Sequence, residues 1–296
     1  MRPIMDFSDL QGFYLGKRAL EVVASGNHNL FILGNTGTEK VDMAHLLFSI
    51  LPNSTLLDED SIPFLSPHYS SSLFSMVGGG RELLPGQIPK AHGGILFLDD
   101  LLEFSKILRD RLRRVMEEEV LTVFCGPNSK TYLAKFLLVT SAKPCPCGYS
   151  LGFLSKCSCD IELKRNYLTP LYPVLEFCDV QLTLSCFDVE FPNLSVGENS
   201  KRIRERVKRV HDIQFERQGC FNSDMATEDL RQFCELSEDS YRLLKCAGER
   251  LRFTSRMKWG AITLSRTIAD MDHSSDIQIQ HLAEAIQLRQ GGIRGL

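Results

Sequence analysis

The sequence predicts an α/β domain built on a parallel sheet, followed by an all-helical domain. Two observations carry this. In the first half, short runs of large apolar residues such as "NLFIL", "GGILFLDD" and "FLLVTSA" alternate with helical patterns, as do strands buried on both faces of a parallel sheet. After "FDVEFPNLSVGENS" only helical periodicity remains, so the boundary is set near residue 190, with a core over 1–190 and a helical domain over 191–296.

In order along the chain, the apolar spacing predicts a helix over 16–25, a strand over 29–33, a helix over 40–51 and a buried strand within "GGILFLDD". A helix over 104–118 follows, then a β-rich stretch through "LTVFCG" and "FLLVTSA" and a strand at "DVQLTLSCF". The second half reads as helices over 200–218, 227–235, 237–251, 255–271 and 277–290, joined by polar or glycine-bearing segments.

Composition narrows the function. A net charge of −3 argues against a globally basic nucleic-acid binder, so any DNA contact must be regional. No stretch reaches the roughly 18 consecutive apolar residues of a membrane span, and the N-terminus lacks an apolar leader. A cytoplasmic location without a membrane partner is the expectation. In that setting ten cysteines point to metal binding or burial rather than to a disulfide framework.

"GNTGTEKV", at residues 34–41, follows an apolar strand and opens a helix, the layout of a loop that cradles phosphates. Such a loop binds phosphate through backbone N–H groups and the helix N-terminus, neutralises charge with a lysine and holds magnesium with a hydroxyl. Gly34, Gly37, Thr38 and Lys40 are the residues it offers to ATP. Against the pattern G-x-x-x-x-G-K-[ST], Glu39 stands in place of glycine and Val41 in place of the hydroxyl. Alone, the motif would be weak, because a strand, a glycine turn and a helix occur in any α/β protein.

The run "GGILFLDD" strengthens it by delivering Asp99 and Asp100 to the C-terminal edge of a buried strand, where ligands sit in such folds. Asp99 is the candidate magnesium ligand, and Asp100 the candidate catalytic residue that orients or activates water. The alternative reading is a pair of helix-capping aspartates. Further on, "CPCGYSLGFLSKCSC" sets Cys145, Cys147, Cys157 and Cys159 as two C-x-C pairs around a nine-residue loop. Four thiolates on two tight turns can close a structural Zn²⁺ shell, the alternatives being buried small residues or disulfides.

These segments resemble the AAA+ ATPase part of magnesium-chelatase-like proteins, in particular the bacterial competence protein ComM group. The resemblance runs from about Asp6 to the C-terminus, through "GKRALEVVASGNHNLFILGNTGT", "SPHYSSSLFSMVGGG", "LLPGQIPKAHGGILFLDDLLEFS", "SAKPCPCG" and "SRTIADM". It implies an AAA+ P-loop core with a parallel sheet, a structural zinc loop carrying these four cysteines, and a helical lid whose sensor arginine is Arg256. It also implies ATP and Mg²⁺ as cofactors, a hexameric homo-oligomeric ring, and DNA translocation or branch migration during transformation and recombination. Family members usually carry a further N-terminal domain resembling the Lon protease, which this sequence is expected to lack.

Measured against that family, the site is altered. A carboxylate at Glu39 is expected to crowd the loop and repel phosphates, and Val41 offers magnesium no ligand. Asp100 stands where the family has glutamate, one methylene longer. Lys143 occupies the place of the γ-phosphate-sensing asparagine, and Phe177 that of the arginine finger, a group worth ~10³–10⁵ in rate. The expectation is therefore a degenerate site with weak ATP binding and impaired hydrolysis. Two other functions remain open at this point: a catalytically inactive scaffold or partner subunit, and a metal-chelatase subunit.

Three other features complete the reading. The helix "KRIRERVKRVHDIQFERQ" turns Ile203, Val207 and Val210 to one face and six basic residues outward, which suits a solvated amphipathic helix or a DNA-backbone contact. The loop "MVGGGRELLPG" and the segment "VLTVFCGPNSK" carry Arg81 and Lys130, which by resemblance to pore-facing loops are candidates for DNA contact. His68 and His92 read as ordinary hydrogen-bonded histidines, and the other six cysteines as buried small residues.

Overall fold

The computed structural model describes residues 6–9, 13–37, 39–52, 62–151, 157–184 and 197–290. Its first elements are α1 (Tyr14–Gly26), β1 (Leu30–Gly34), α2 (Lys40–Ile50), β2 (Phe64–Leu65), α3 (Leu73–Val77), β3 (Gly78–Gly79), β4 (Leu84–Pro85), α4 (Gln87–Lys90) and β5 (Ile95–Leu98). Then come α5 (Lys106–Glu118), β6 (Val120–Cys125), β7 (Asn128–Leu133), β8 (Leu137–Ala142), α6 (Ile161–Leu168), α7 (Tyr172–Leu175) and β9 (Val180–Leu184). The helical half holds α8 (Ser200–Gln218), α9 (Thr227–Phe233), α10 (Glu238–Arg250), α11 (Ser255–Met271) and α12 (Ile279–Gln290).

Five strands form one sheet in the order β2-β5-β8-β1-β9, every pair parallel. The apolar runs explain it. Because strand side chains alternate faces, Leu30 and Ile32 enter one core with Ile95, Phe97, Leu137 and Val139, while Phe31 and Leu33 enter a second with Leu96, Leu98 and Leu138. Strands that must satisfy both faces leave no polar period to read. The order also brings the ends of β1, β5 and β8 together at one edge.

The helical half shares a core with the sheet. Leu264 and Ile268 of α11 and Ala285 and Leu288 of α12 join the first core, against Val180 and Leu182 of β9. Two smaller apolar clusters, around Leu230 with Ala269 and around Leu244 with Leu282, belong to the helices themselves. The sheet part ends at Leu184 and the helices resume at Ser200, so the boundary expected near residue 190 lies outside the described residues.

Helix α8 seats itself as its spacing predicts, with Ile203, Val207 and Val210 buried. Its basic face is partly engaged internally. Arg204 donates to the Ser49 carbonyl, and Arg206 donates to Glu21 at 2.7 Å and to Glu198 at 2.5 Å. Gln214 and His211 bond the end of α1 through the Ser25 and Ala24 carbonyls, at 2.7 and 2.8 Å. These contacts support the structural reading of this helix over a free basic stripe.

The glycine-rich segment, expected to be a plain loop, holds helix α3 and a two-stranded ribbon of β3 and β4. Strand β7, which has no clear alternation, pairs antiparallel with β6 around a two-residue turn at Gly126 and Pro127. Tyr132 on that hairpin donates its hydroxyl to the Leu83 carbonyl at 2.5 Å and so ties the hairpin to the ribbon. Among the described residues no helix is long and apolar enough to cross a membrane.

Candidate nucleotide and metal sites

At the sheet edge where the strands end, β1 runs through Gly34 into Asn35, Thr36 and Gly37, and Lys40 opens α2. Gly37 has φ +85°, a conformation that suits glycine, and a Cβ added there would meet nothing within 4 Å. Thr38 lies outside the described residues. Glu39 has φ −74°, so the backbone here makes no left-handed demand for glycine. The electrostatic objection to its carboxylate stands by itself. Val41 is 37% exposed beside the loop and offers no oxygen to a metal.

Strand β5 ends in the two acids, and Ser141 of β8 clamps both. The Ser141 hydroxyl donates to Asp99 Oδ1 at 2.5 Å and accepts the Asp100 N–H at 2.9 Å. That bond helps hold Asp100 at φ +50°, a left-handed conformation uncommon for a residue other than glycine. Its carboxylate then reaches two lysines: Lys40 Nζ lies 2.9 Å from one oxygen, Lys143 Nζ 3.1 Å from the other. Lys143 also approaches Glu103 at 3.5 Å. Burial works to lower the Lys143 ammonium, but the hydrogen bond and charge of Asp100, with Glu103, raise it above its ordinary value.

The structure thus gathers Gly34, Gly37, Lys40, Asp99, Asp100 and Lys143 at one edge, and it does not bring Arg256 to them. Arg256, exposed on α11, stacks its guanidinium 4.2 Å from the centre of the Phe177 ring. Phe177 accepts a hydrogen bond from Asn29 through its carbonyl, and Asn29 in turn accepts the Val180 N–H. Both lie where β1 and β9 begin, the opposite edge from the phosphate loop. Within this chain, then, Arg256 lies away from the phosphate loop.

The four cysteines converge. Their sulfurs lie within 4.8 Å of one another, with Cys145 Sγ 3.2 Å from Cys147 and 3.7 Å from Cys157. A tetrahedral shell with Zn–S of about 2.3 Å sets neighbouring sulfurs about 3.8 Å apart, so this donor set fits a zinc ion. Burial opposes ionisation of Cys145, but hydrogen bonds from Cys147, the Tyr149 N–H and Cys157 pull its thiol down to about 6. The same sharing pushes Cys147 up to about 12.

The remaining candidates are simpler. His68 bonds the Ser70 hydroxyl at 2.7 Å and His92 the Lys135 carbonyl at 3.0 Å. Cys178 and Cys234 are buried as expected, but Cys125 and Cys220 are half-buried and Cys246 is exposed; Cys186 lies outside the described residues. Sequence reasoning missed Ser141 and Asn35. Ser141 had a signal, its place at the end of the strand next to the acids; Asn35 had none beyond membership of the loop.

Comparison with known proteins identifies the family. The family described as "Magnesium chelatase, subunit ChlI" matches residues 6–59 and 58–190, and "Magnesium chelatase, subunit ChlI C-terminal" matches residues 197–289. The protein YifB of Escherichia coli is 34% identical over 306 residues, covering 96% of this chain and 60% of its own length. Competence protein ComM of Haemophilus influenzae is 32% identical over 311 residues, with the same two coverages of 96% and 60%. The chain therefore spans about three-fifths of the length of these relatives. Matched by the family models over nearly all of its length, it belongs to the magnesium chelatase subunit ChlI family, with ComM among its relatives.

Proposed function

We propose that this chain is the nucleotide-binding module of a ring-forming AAA+ protein that acts on DNA, with a degenerate site that binds ATP weakly and is impaired in hydrolysis. The observation that carries the reading is Asp100 held between Lys40 and Lys143. The acid that would orient the attacking water has both oxygens engaged by ammonium groups, and the lysine that would meet the β and γ phosphates is engaged by that acid. Beside them Val41 removes one of the two protein ligands that magnesium would use, leaving Asp99 alone.

The expected result is an ATP affinity that changes less than about threefold when Mg²⁺ is added, with no turnover above background in the presence or absence of DNA. Equilibrium titration and phosphate release check it, and DNA-stimulated turnover would overturn the impaired-site reading. A ring fits the position of Arg256, since from the far edge of the sheet its guanidinium can reach a phosphate only of a neighbouring copy. A scaffold subunit shares these expectations and differs in making no DNA contact.

For DNA, Arg81 and Lys130 support the reading because both are exposed on two structures tied together by the Tyr132 bond to Leu83. The Lys130 ammonium lies 4.9 Å from the Tyr132 ring centre, and Phe124 on the partner strand is 68% exposed. Reversing both charges, Arg81→Glu with Lys130→Glu, is expected to weaken duplex binding and to reduce the slope of log K against log salt by about 2. An unchanged slope in a fluorescence anisotropy titration would move DNA binding elsewhere on the protein.

A further inference from the structure

The segment that joins the two cysteine pairs also grips the phosphate loop. Gly148 and Leu151 lie just after Cys147, and both bond residues that follow β1. The Thr36 N–H donates to the Gly148 carbonyl at 2.8 Å. The Leu151 N–H donates to Asn35 Oδ1 at 3.1 Å, and the Asn35 amide returns a bond to the Leu151 carbonyl. Asn35 is 8% exposed, so this two-way bond is shielded from competing water.

The fit is close enough to require glycine. Gly148 has φ +79°, and a Cβ there would come 2.1 Å from Thr36 Oγ1. The two loops are thus in direct backbone contact, and each takes its position from the other. A metal on Cys145, Cys147, Cys157 and Cys159 would pin the cysteine segment on either side of residues 148–151; without it that restraint is lost, and a loop so released gains conformational entropy.

We propose that Asn35 is a positioning residue through which the metal-holding cysteine segment sets the shape of the phosphate loop, so that losing the metal loosens the nucleotide site. Its functional consequence rests on the nucleotide reading given above, while its geometry rests on the Asn35, Thr36, Gly148 and Leu151 contacts.

The test uses the full chain purified with zinc, followed by hydrogen exchange at the Thr36 amide, zinc content and ADP affinity. Stripping zinc with a chelator is expected to speed Thr36 exchange about tenfold and to weaken ADP binding by a similar factor. Asn35→Ala is expected to keep its zinc, to reproduce most of both effects, and to respond less to the chelator than the parent, because it removes the Leu151 contact and leaves only the Thr36–Gly148 bond to carry the effect. Asn35→Asp, which keeps the acceptor for the Leu151 N–H, should fall between.

Thr36 exchange that is unaltered by zinc loss overturns the proposal. So does an Asn35→Ala variant as chelator-sensitive as the parent, or a chain that takes up no zinc. A zinc-loaded chain that binds no ADP overturns the nucleotide reading instead, and the exchange measurement still decides this one.

Discussion

Asp270→Ala is expected to lower stability by about 3–5 kcal/mol, the range found when one partner of a buried ion pair is removed. Asp270 is 2% exposed and receives four charged or polar donors. Arg217 reaches its two oxygens at 2.5 and 2.8 Å, Arg266 approaches at 3.1 Å through Nε, and the Asn222 amide donates at 2.8 Å. Arg266 is itself 2% exposed, so alanine at 270 leaves a buried guanidinium whose remaining hydrogen-bond partners among the described residues are the Ser274 and Ser275 carbonyls. Asp270→Asn, which keeps an acceptor but loses the charge, should cost less. The single tryptophan, Trp259, lies on the same helix, and its fluorescence through a urea titration reads the transition directly. A loss under about 1 kcal/mol would mean that the cluster is replaceable by water.

That network joins the two halves of the chain, and it was invisible in the sequence. Asn222, Thr267 and Asp270 continue into His28 and Asp179: Thr267 Oγ1 lies 2.8 Å from His28 Nε2, and His28 Nδ1 lies 3.2 Å from Asp179. Each of these is a lone polar residue in an apolar or helical stretch, with nothing local to say which others it will meet. The strands were legible for the opposite reason. Runs such as "ILFL" are buried on both faces, and that constraint is written in consecutive residues. Strand β7 was not, since "NSKTYL" lies on an exposed hairpin where neither face demands apolar side chains.

The site divides in the same way. Lys40, the two acids and the four cysteines are fixed by short-range spacing, and the fold brings each group together. Ser141 and Asn35 act across loops, through bonds to residues 42 and 116 positions away. Arg256 shows the limit most clearly. Motif order puts it in the helical half, but only tertiary packing, which sets Arg256 over Phe177, decides which edge of the sheet it faces, and it faces the edge where the strands begin.

Glu39→Gly combined with Val41→Thr is expected to raise the affinity for Mg²⁺-ATP at least about 100-fold, or roughly 2.7 kcal/mol. Two separable effects add. Glu39 stands at the N-terminus of α2, where the helix dipole and free N–H groups would otherwise favour phosphate, and its side chain makes no capping bond there. A carboxylate about 5 Å from a phosphate charge costs about 3 kcal/mol at an effective dielectric near 20, less where solvent screens it. Val41 is exposed enough that threonine, close to it in shape, should change stability by no more than about 0.5 kcal/mol, so the binding change can be read without a folding correction. The single variants separate the causes: Glu39→Gly should tighten ATP with or without magnesium, and Val41→Thr only with it. Turnover should still be absent in the double variant, because Asp100 remains held by Lys143 and Phe177 supplies no cation. Adding Lys143→Asn frees one oxygen of Asp100, and any hydrolysis regained at that step, measured as phosphate release, identifies the lysine rather than the loop as what blocks the chemistry. If Val41→Thr leaves the magnesium dependence unchanged, the loss of the hydroxyl is not what weakened the metal.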